Sequence, residues 1–282
     1  MNQYYEEILA LPEKGTMDVV LAKWEQIHKR MKEGYVKARH LLPELYLLGA
    51  PGIGKSHLLS LLAGYLEEAR LMVFLGERKY VEFRLEYCPE HENFTELNRF
   101  INKLSEMAGF RNDFRGIVCI ELDEWLEHFK EKYFNVFIEY LEENCDNWLI
   151  VFSVNSSVEN EEELFSYLSM YFRMDKVKLS IPSAEEYMGH LGEVLATYGF
   201  SLSPSAKSIL VGSIEELKKS PLFDGYKSIN RLGMDVAYEK YISEDFRKRQ
   251  IAEQDVAMFA PESEYIQTMI KNYEKKKQVG FM

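Results

Sequence analysis

The chain alternates between apolar runs of strand length and stretches whose apolar residues recur every three or four positions. From Asp18 to about Ala38, residues Val19, Leu21, Trp24, Ile27, His28 and Met31 fall on one helical face, and Pro43 closes that region. Glu44–Leu48 (ELYLL) reads as a short apolar strand. Beyond the glycine-rich segment that follows it, Leu58, Leu59, Leu62, Tyr65, Leu66 and Ala69 return at helical spacing. Leu71–Leu75 and Lys79–Tyr87 read as two further strands, Phe94–Met107 as a helix, and Ile117–Leu122 as a strand running into Asp123 and Glu124. Leu126–Glu143 reads as one long amphipathic helix aligned on Phe129, Tyr133, Phe137 and Leu141. Trp148–Val154 (WLIVFSV) is a near-continuous apolar run, the pattern of a strand buried on both faces of a parallel sheet, and Val177–Ile181 is a shorter strand. Strands and helices in alternation predict an α/β fold with a doubly wound, parallel, five-stranded sheet.

After Pro182 the pattern becomes purely helical. Ser183 caps a helix with Glu185 and Glu186 in its first turn and Tyr187, Leu191, Val194, Leu195 and Tyr198 on one face; Gly199 ends it. Two more helices are expected near Ser205–Lys218 and Lys227–Ile242. The expected division is an α/β domain with an N-terminal helix over 1–182 and a small all-helical domain with a C-terminal tail over 183–282.

Composition narrows the class. Lys and Arg total 34 against 46 Asp and Glu, a formal charge of −12 that repels phosphate backbones on average. Tight, sequence-blind nucleic-acid binding is therefore not the expected main activity, although a local basic patch stays open. Cys88, Cys119 and Cys145 are too few and too scattered for a disulfide framework or a zinc site, and Cys119 in its apolar run reads as a small buried side chain. The N-terminal MNQYYEEILA lacks the basic-then-apolar order of a signal peptide, and no apolar stretch reaches membrane-spanning length. The expectation is a soluble cytoplasmic protein without a membrane partner.

The chemistry concentrates in Gly49-Ala50-Pro51-Gly52-Ile53-Gly54-Lys55-Ser56, followed by His57. The spacing Gly49, Gly54, Lys55, Ser56 between a strand and a helix is that of a phosphate-binding loop. Glycines let backbone N–H groups turn inward and let an anion approach closely. Lys55 would reach the β- and γ-phosphates of ATP, Ser56 would ligate Mg2+, and the helix N-terminus would face the anion. The acid such a loop needs comes from Ile117-Val118-Cys119-Ile120-Glu121-Leu122-Asp123-Glu124, in either of two registers. In one, Asp123 serves the metal and Glu124 is the general base. In the other, Glu121 is the metal acid, the base position falls on Leu122, and hydrolysis is poor. The first keeps an adjacent Asp-Glu pair but puts Glu121 in a buried strand, where it needs a polar partner.

These motifs in this order resemble AAA+ ATPases over about residues 40 to 245. The resemblance implies further site residues. Asn155, at the end of Trp148–Val154, corresponds to the sensor-1 residue that orients the attacking water. Arg173, in Tyr171-Phe172-Arg173, corresponds to the arginine finger for a neighbouring subunit, although the family more often places Arg before Phe. Arg231, in Ser228-Ile229-Asn230-Arg231-Leu232, corresponds to sensor-2 in the helical lid, with Lys227 one turn earlier as the alternative. The lid wording, Leu179 to Glu186 and Tyr198 to Ser203, is most similar to the rubisco-activase-like (CbxX-type) group. Gly54-Lys55-Ser56-His57-Leu58 is similar instead to helicase-loader and transposase-helper ATPases.

The resemblance implies a Mg-ATP-dependent ATPase that forms a homo-oligomeric ring in its ATP state and remodels a protein client. Substrate-contacting loop residues are expected around Tyr87 to Phe94. The alternative is a nucleotide-dependent switch or loader with little hydrolysis, including a helper of DNA replication.

Overall fold

Five strands, β1 (Glu44–Leu48), β2 (Tyr80–Arg84), β3 (Gly116–Glu121), β4 (Trp148–Val154) and β5 (Met174–Lys178), pair in parallel in the order β2-β3-β4-β1-β5. A computed structural model describes residues 2–34, 41–75, 78–87, 98–99, 101–102, 115–144, 148–155, 160–220 and 222–270. The runs with least polar alternation take the interior of the sheet. β1 is buried at all five positions and β4 at all seven, as expected for strands covered on both faces. Because β1 lies between β4 and β5, and β4 lies between β1 and β3, the ends of β1, β4 and β3 are neighbours.

Helices α1 (Gln3–Ala10), α2 (Met17–Lys32), α3 (Lys55–Glu68), α4 (Lys132–Asn144) and α5 (Glu161–Leu168) accompany the sheet. Val118, Ile120 and Leu122 share one continuous core with Phe134, Phe137 and Leu141 of α4 and Leu164 and Leu168 of α5. Helix α3 packs on β2 and β3. This unit comprises 1–50 with 55–180.

The second unit comprises 51–54 with 181–282. It holds α6 (Ala184–Thr197), α7 (Pro204–Lys218), α8 (Gly225–Ile242) and the short α9 (Glu253–Val256), and a small parallel pair β6 (Ser201–Leu202) and β7 (Gln250–Ile251). Ser183 closes a capping box on α6: its hydroxyl accepts the Glu186 N–H while the Glu186 carboxylate accepts the Ser183 N–H. Leu191, Leu210, Leu232 and Ile251 meet in its core. Lys240 is buried there, its ammonium 2.9 Å from Asp255. No described helix is long and apolar enough to cross a membrane.

Several expected elements differ. Leu71–Leu75 is not a strand. Leu71 and Met72 are buried beyond the end of α3, whereas Val73 and Leu75 are exposed, and Leu75 makes one isolated antiparallel bridge to Arg115. The helix expected from Leu126 begins only at Lys132. The backbone before it makes successive three-residue turns, with Trp125, His128 and Glu131 N–H groups bonded to Leu122, Trp125 and His128 carbonyls. The last strand is Met174–Lys178 instead of Val177–Ile181, because Glu44 to Leu48 pair with Met174 to Lys178, and Ile181 is exposed. Helix α2 stops at Lys32, just before Gly34. The helix expected over Phe94–Met107 is described only at 98–99 and 101–102, and residues 88–94 of the expected substrate loop lie outside the described residues.

Candidate active site

Hydrogen bonding to the sheet delivers the chain into the loop: the Gly49 N–H donates to the Val154 carbonyl at 3.0 Å, one step beyond the β1–β4 ladder. Gly52 and Gly54 then take φ of +68° and +99°, left-handed conformations in which a Cβ would be strained. Buried Ile53 pins the turn between them, with Pro51 exposed. Helix α3 starts at Lys55, so its first N–H groups, which have no partners within the helix, gather at the loop.

The Lys55 ammonium reaches back across the loop to the Gly49 carbonyl at 3.1 Å. The Ser56 hydroxyl donates to Glu82 on β2 at 2.9 Å. His57 is exposed on the first turn of α3. The loop tip packs within the helical unit: the Tyr226 N–H donates to the Gly52 carbonyl at 2.9 Å, and a side chain at Gly52 would overlap Asp224.

Two strands away, Asp123 opens a short 3-10 turn directly after β3. One of its carboxylate oxygens accepts the Asn155 N–H at 2.6 Å, a charge-assisted bond that ties the end of β3 to the end of β4. Glu121 remains on the strand, half-buried, and its polar neighbour is Arg84 of β2, with Nε 3.8 Å from the carboxylate. Glu124 is held from two sides: Arg84 donates to one oxygen at 2.5 Å and the Tyr87 N–H to the other at 2.8 Å. That hydrogen bond and the Glu124 charge drive the Arg84 guanidinium still further toward its protonated form.

Aromatic packing fixes this corner. Tyr87 meets buried Trp125 edge-on at 5.2 Å, lies over His128 at 3.6 Å, and donates its hydroxyl to Glu131 at 2.9 Å. On the other face of β3, burial pushes the Cys119 thiol up to about 12, with the Glu82 charge adding to the effect and Lys55 opposing it.

The remaining expected residues stand apart. Arg173 is exposed at the start of β5, whose first pair is Met174 with Glu44, so it lies about 16 Å, the length of five strand residues, below the phosphate loop of its own chain. Arg231 is exposed on α8, and Lys227 of the same helix pairs with Asp224 at 3.2 Å; both belong to the helical unit. Sequence reasoning missed Glu82 and Arg84, and it named Tyr87 only as the start of the substrate loop, not as a partner of Glu124. Their signal was present in Tyr80–Arg84, where residues 82 and 84 face one side of an alternating strand, but only the pairing of Glu82 with Cys119 and Arg84 with Glu121 brings them to the site. Among the described residues no cluster of three or more His, Cys, Asp or Glu is placed to hold a metal ion.

No protein-family model matches the sequence, and no curated protein matches it. Among solved structures the chain is similar to PCH-2 of C. elegans, with 16% identity and a TM-score of 0.52 over 90% of this chain and 70% of that one. It is also similar to a RuvB variant from Thermotoga maritima, with 14% identity and a TM-score of 0.51 over 93% of this chain and 78% of that one. The parallel sheet in the order β2-β3-β4-β1-β5 with flanking helices is the AAA+ P-loop fold, which these neighbours share.

Proposed function

We propose that the chain is a Mg2+-dependent ATPase of the AAA+ type that forms a homo-oligomeric ring in its ATP state and uses hydrolysis to remodel a protein partner. One observation carries this reading: a loop with two left-handed glycines opens α3 at Lys55, and the Asp123–Asn155 pair closes the ends of the neighbouring strands β3 and β4. Binding of the phosphates is assigned to the N–H groups of Gly52 to Ser56 and to the Lys55 ammonium, which exchanges the Gly49 carbonyl for phosphate oxygen. Ser56 and Asp123 supply the hard oxygens that Mg2+ takes, an ion that keeps several waters and few protein ligands beside phosphate. When bound, the ion neutralises charge on the phosphate oxygens.

Glu124 is the general base. As the water oxygen bonds to the γ-phosphorus and the bond to the bridging oxygen breaks, a water proton passes to the carboxylate. Asn155 orients that water. Arg173 acts on the site of the next subunit and Arg231 on the γ-phosphate, with Lys227 as its alternative. The first acid register is favoured because Asp123, just past the end of β3, is tied to Asn155 at the end of β4, while Glu121 is still a residue of the strand.

ATP turnover and equilibrium ATP binding by wild type, Glu124→Gln and Glu121→Gln test the assignment. Loss of turnover with retained binding in Glu124→Gln alone supports it; equal loss in Glu121→Gln alone overturns the register. A second reading, a nucleotide-dependent switch or loader with little hydrolysis, is favoured by the engagement of Glu124 with Arg84 and Tyr87, which takes the base out of use. Negligible turnover by wild type with tight ATP binding selects it.

A further inference from the structure

Arg70 lies just past the end of α3 with φ of +55°, a conformation that helix ends usually give to Gly or Asn because a Cβ is strained there. The turn is closed by its own backbone, with the Arg70 N–H bonded to the Glu67 carbonyl and the Leu71 N–H to the Leu66 carbonyl, both at 2.9 Å. Arg70 lines a groove of about 530 Å³ together with Lys29, Lys32, His28 and Met31 from the last turns of α2.

Glu68, two residues before Arg70, lines the groove itself, but three other acids near these cations are engaged with other side chains. Glu25, one turn before Lys29, accepts the Tyr65 hydroxyl at 2.9 Å; Glu33, one turn after it, pairs with Arg30 at 3.4 Å; and Glu67, before Arg70, pairs with Lys79. Lys29, Lys32 and Arg70 have no ion-pair partner among the described residues. The carbonyl ends of α2 and α3 attract positive charge. That attraction explains basic residues in a last turn, but not three unpaired cations facing one concavity from two helices. Residues 28–34 contain Lys29, Arg30 and Lys32 against the single acid Glu33, in a chain of net charge −12.

We propose that this groove binds the phosphate backbone of a single-stranded nucleic acid. Lys29 and Lys32 are one helical turn apart, about 5 to 6 Å, and place two cations in a row along a strand of phosphates, with Arg70 opposite. The remaining lining favours nucleotides over an acidic peptide. Glu25 and Glu68 repel phosphate and carboxylate alike, but they offer acceptors to base amino groups that the side chains of an acidic peptide lack, and Met31 offers an apolar wall to a base. The acidic remainder of the chain weakens this attraction little, because charges beyond about 8 to 10 Å are screened at physiological salt.

The inference is independent of the ATPase reading. Helix α3 is about 20 Å long, so the groove lies at the far end of the helix from Lys55.

Fluorescence anisotropy of the full chain tests it, with a labelled oligodeoxycytidylate, whose bases carry amino groups, the corresponding duplex, and a labelled polyglutamate peptide, each over a salt series, and with Mg-ATP binding measured in the same samples. Wild type binds the single strand in preference to the duplex and the peptide, with affinity falling steeply as salt rises. Lys29→Glu/Lys32→Glu/Arg70→Glu weakens it at least about tenfold and lowers the log–log salt slope by about 2, the share of three phosphate contacts on a single strand. Arg70→Gly guards against simple misfolding, since glycine suits this backbone: the melting temperature holds or rises while oligonucleotide affinity falls. Mg-ATP affinity stays unchanged in both variants. Undetectable oligonucleotide binding at low salt, unaltered binding by the variants, or equal binding of polyglutamate overturns the proposal.

Discussion

Glu124 already accepts from two donors, and both come from one short stretch, Arg84 and the Tyr87 N–H. If Glu124 is the base, its ion pair with Arg84 holds it in reserve. Arg84→Ala should then raise steady-state ATP turnover about two- to fivefold, the size of a screened surface ion pair, with KM for ATP unchanged. Turnover that falls or stays flat in that variant would show that Arg84 supports the base. Gly52→Ala places a methyl group against Asp224 in a left-handed backbone, so ATP affinity should drop by at least about tenfold in a titration while the sheet unit melts as before. Cys119 makes a third case. Its thiol is held neutral by burial, so stability should fall as the pH climbs from the ordinary cysteine value of 9.0 toward about 12, where the unfolded chain ionises and the folded one does not. At pH 8, mass spectrometry of iodoacetamide-treated protein should find the Cys119 peptide unmodified until the chain is unfolded.

Among the elements, those with an unambiguous period were readable in advance and those defined by partners were not. ELYLL and WLIVFSV, buried at every position, and GIVCIE, buried at all but Glu121, announce interior strands. β5 does not: of MDKVK only Val177 is buried, and Lys176 is spanned by Glu161 and Glu162 at 3.0 and 2.6 Å, so its place in the sheet comes from pairing with β1. Leu71 and Met72 misled in the opposite sense, apolar because they are buried behind α3 and not because they belong to a strand. The phosphate loop was legible to the residue because backbone geometry dictates its glycines, whereas Glu82, Arg84 and Tyr87 depend on the β2–β3 register, which no local pattern encodes. In the helical unit the Lys240–Asp255 pair is buried, and the same Asp255 oxygen accepts the Ala252 N–H. Asp255→Ala strands a buried ammonium and should cost about 3 kcal/mol in denaturant unfolding. Lys240→Met with Asp255→Leu should recover most of it, since an apolar pair needs no compensation.

At the scale of the whole molecule, the AAA+ P-loop fold supplies a sheet unit and a helical unit to which the tip of the phosphate loop belongs, while Arg173 stands at the opposite end of the sheet from the end of β1. If Arg173 serves a neighbouring subunit, Arg173→Ala should bind ATP like wild type, form the same oligomer by light scattering with a non-hydrolysable analogue, and lose most of its turnover. A variant that keeps full turnover would remove the arginine from the account. Everything else rests on nucleotide capture, and isothermal titration of ATP with magnesium into wild type and Lys55→Ala measures that directly. The account predicts saturable binding by wild type that weakens at least about a hundredfold in Lys55→Ala, the loss of a charge-assisted contact to phosphate. Absence of binding by wild type, or equal binding by both proteins, would contradict it.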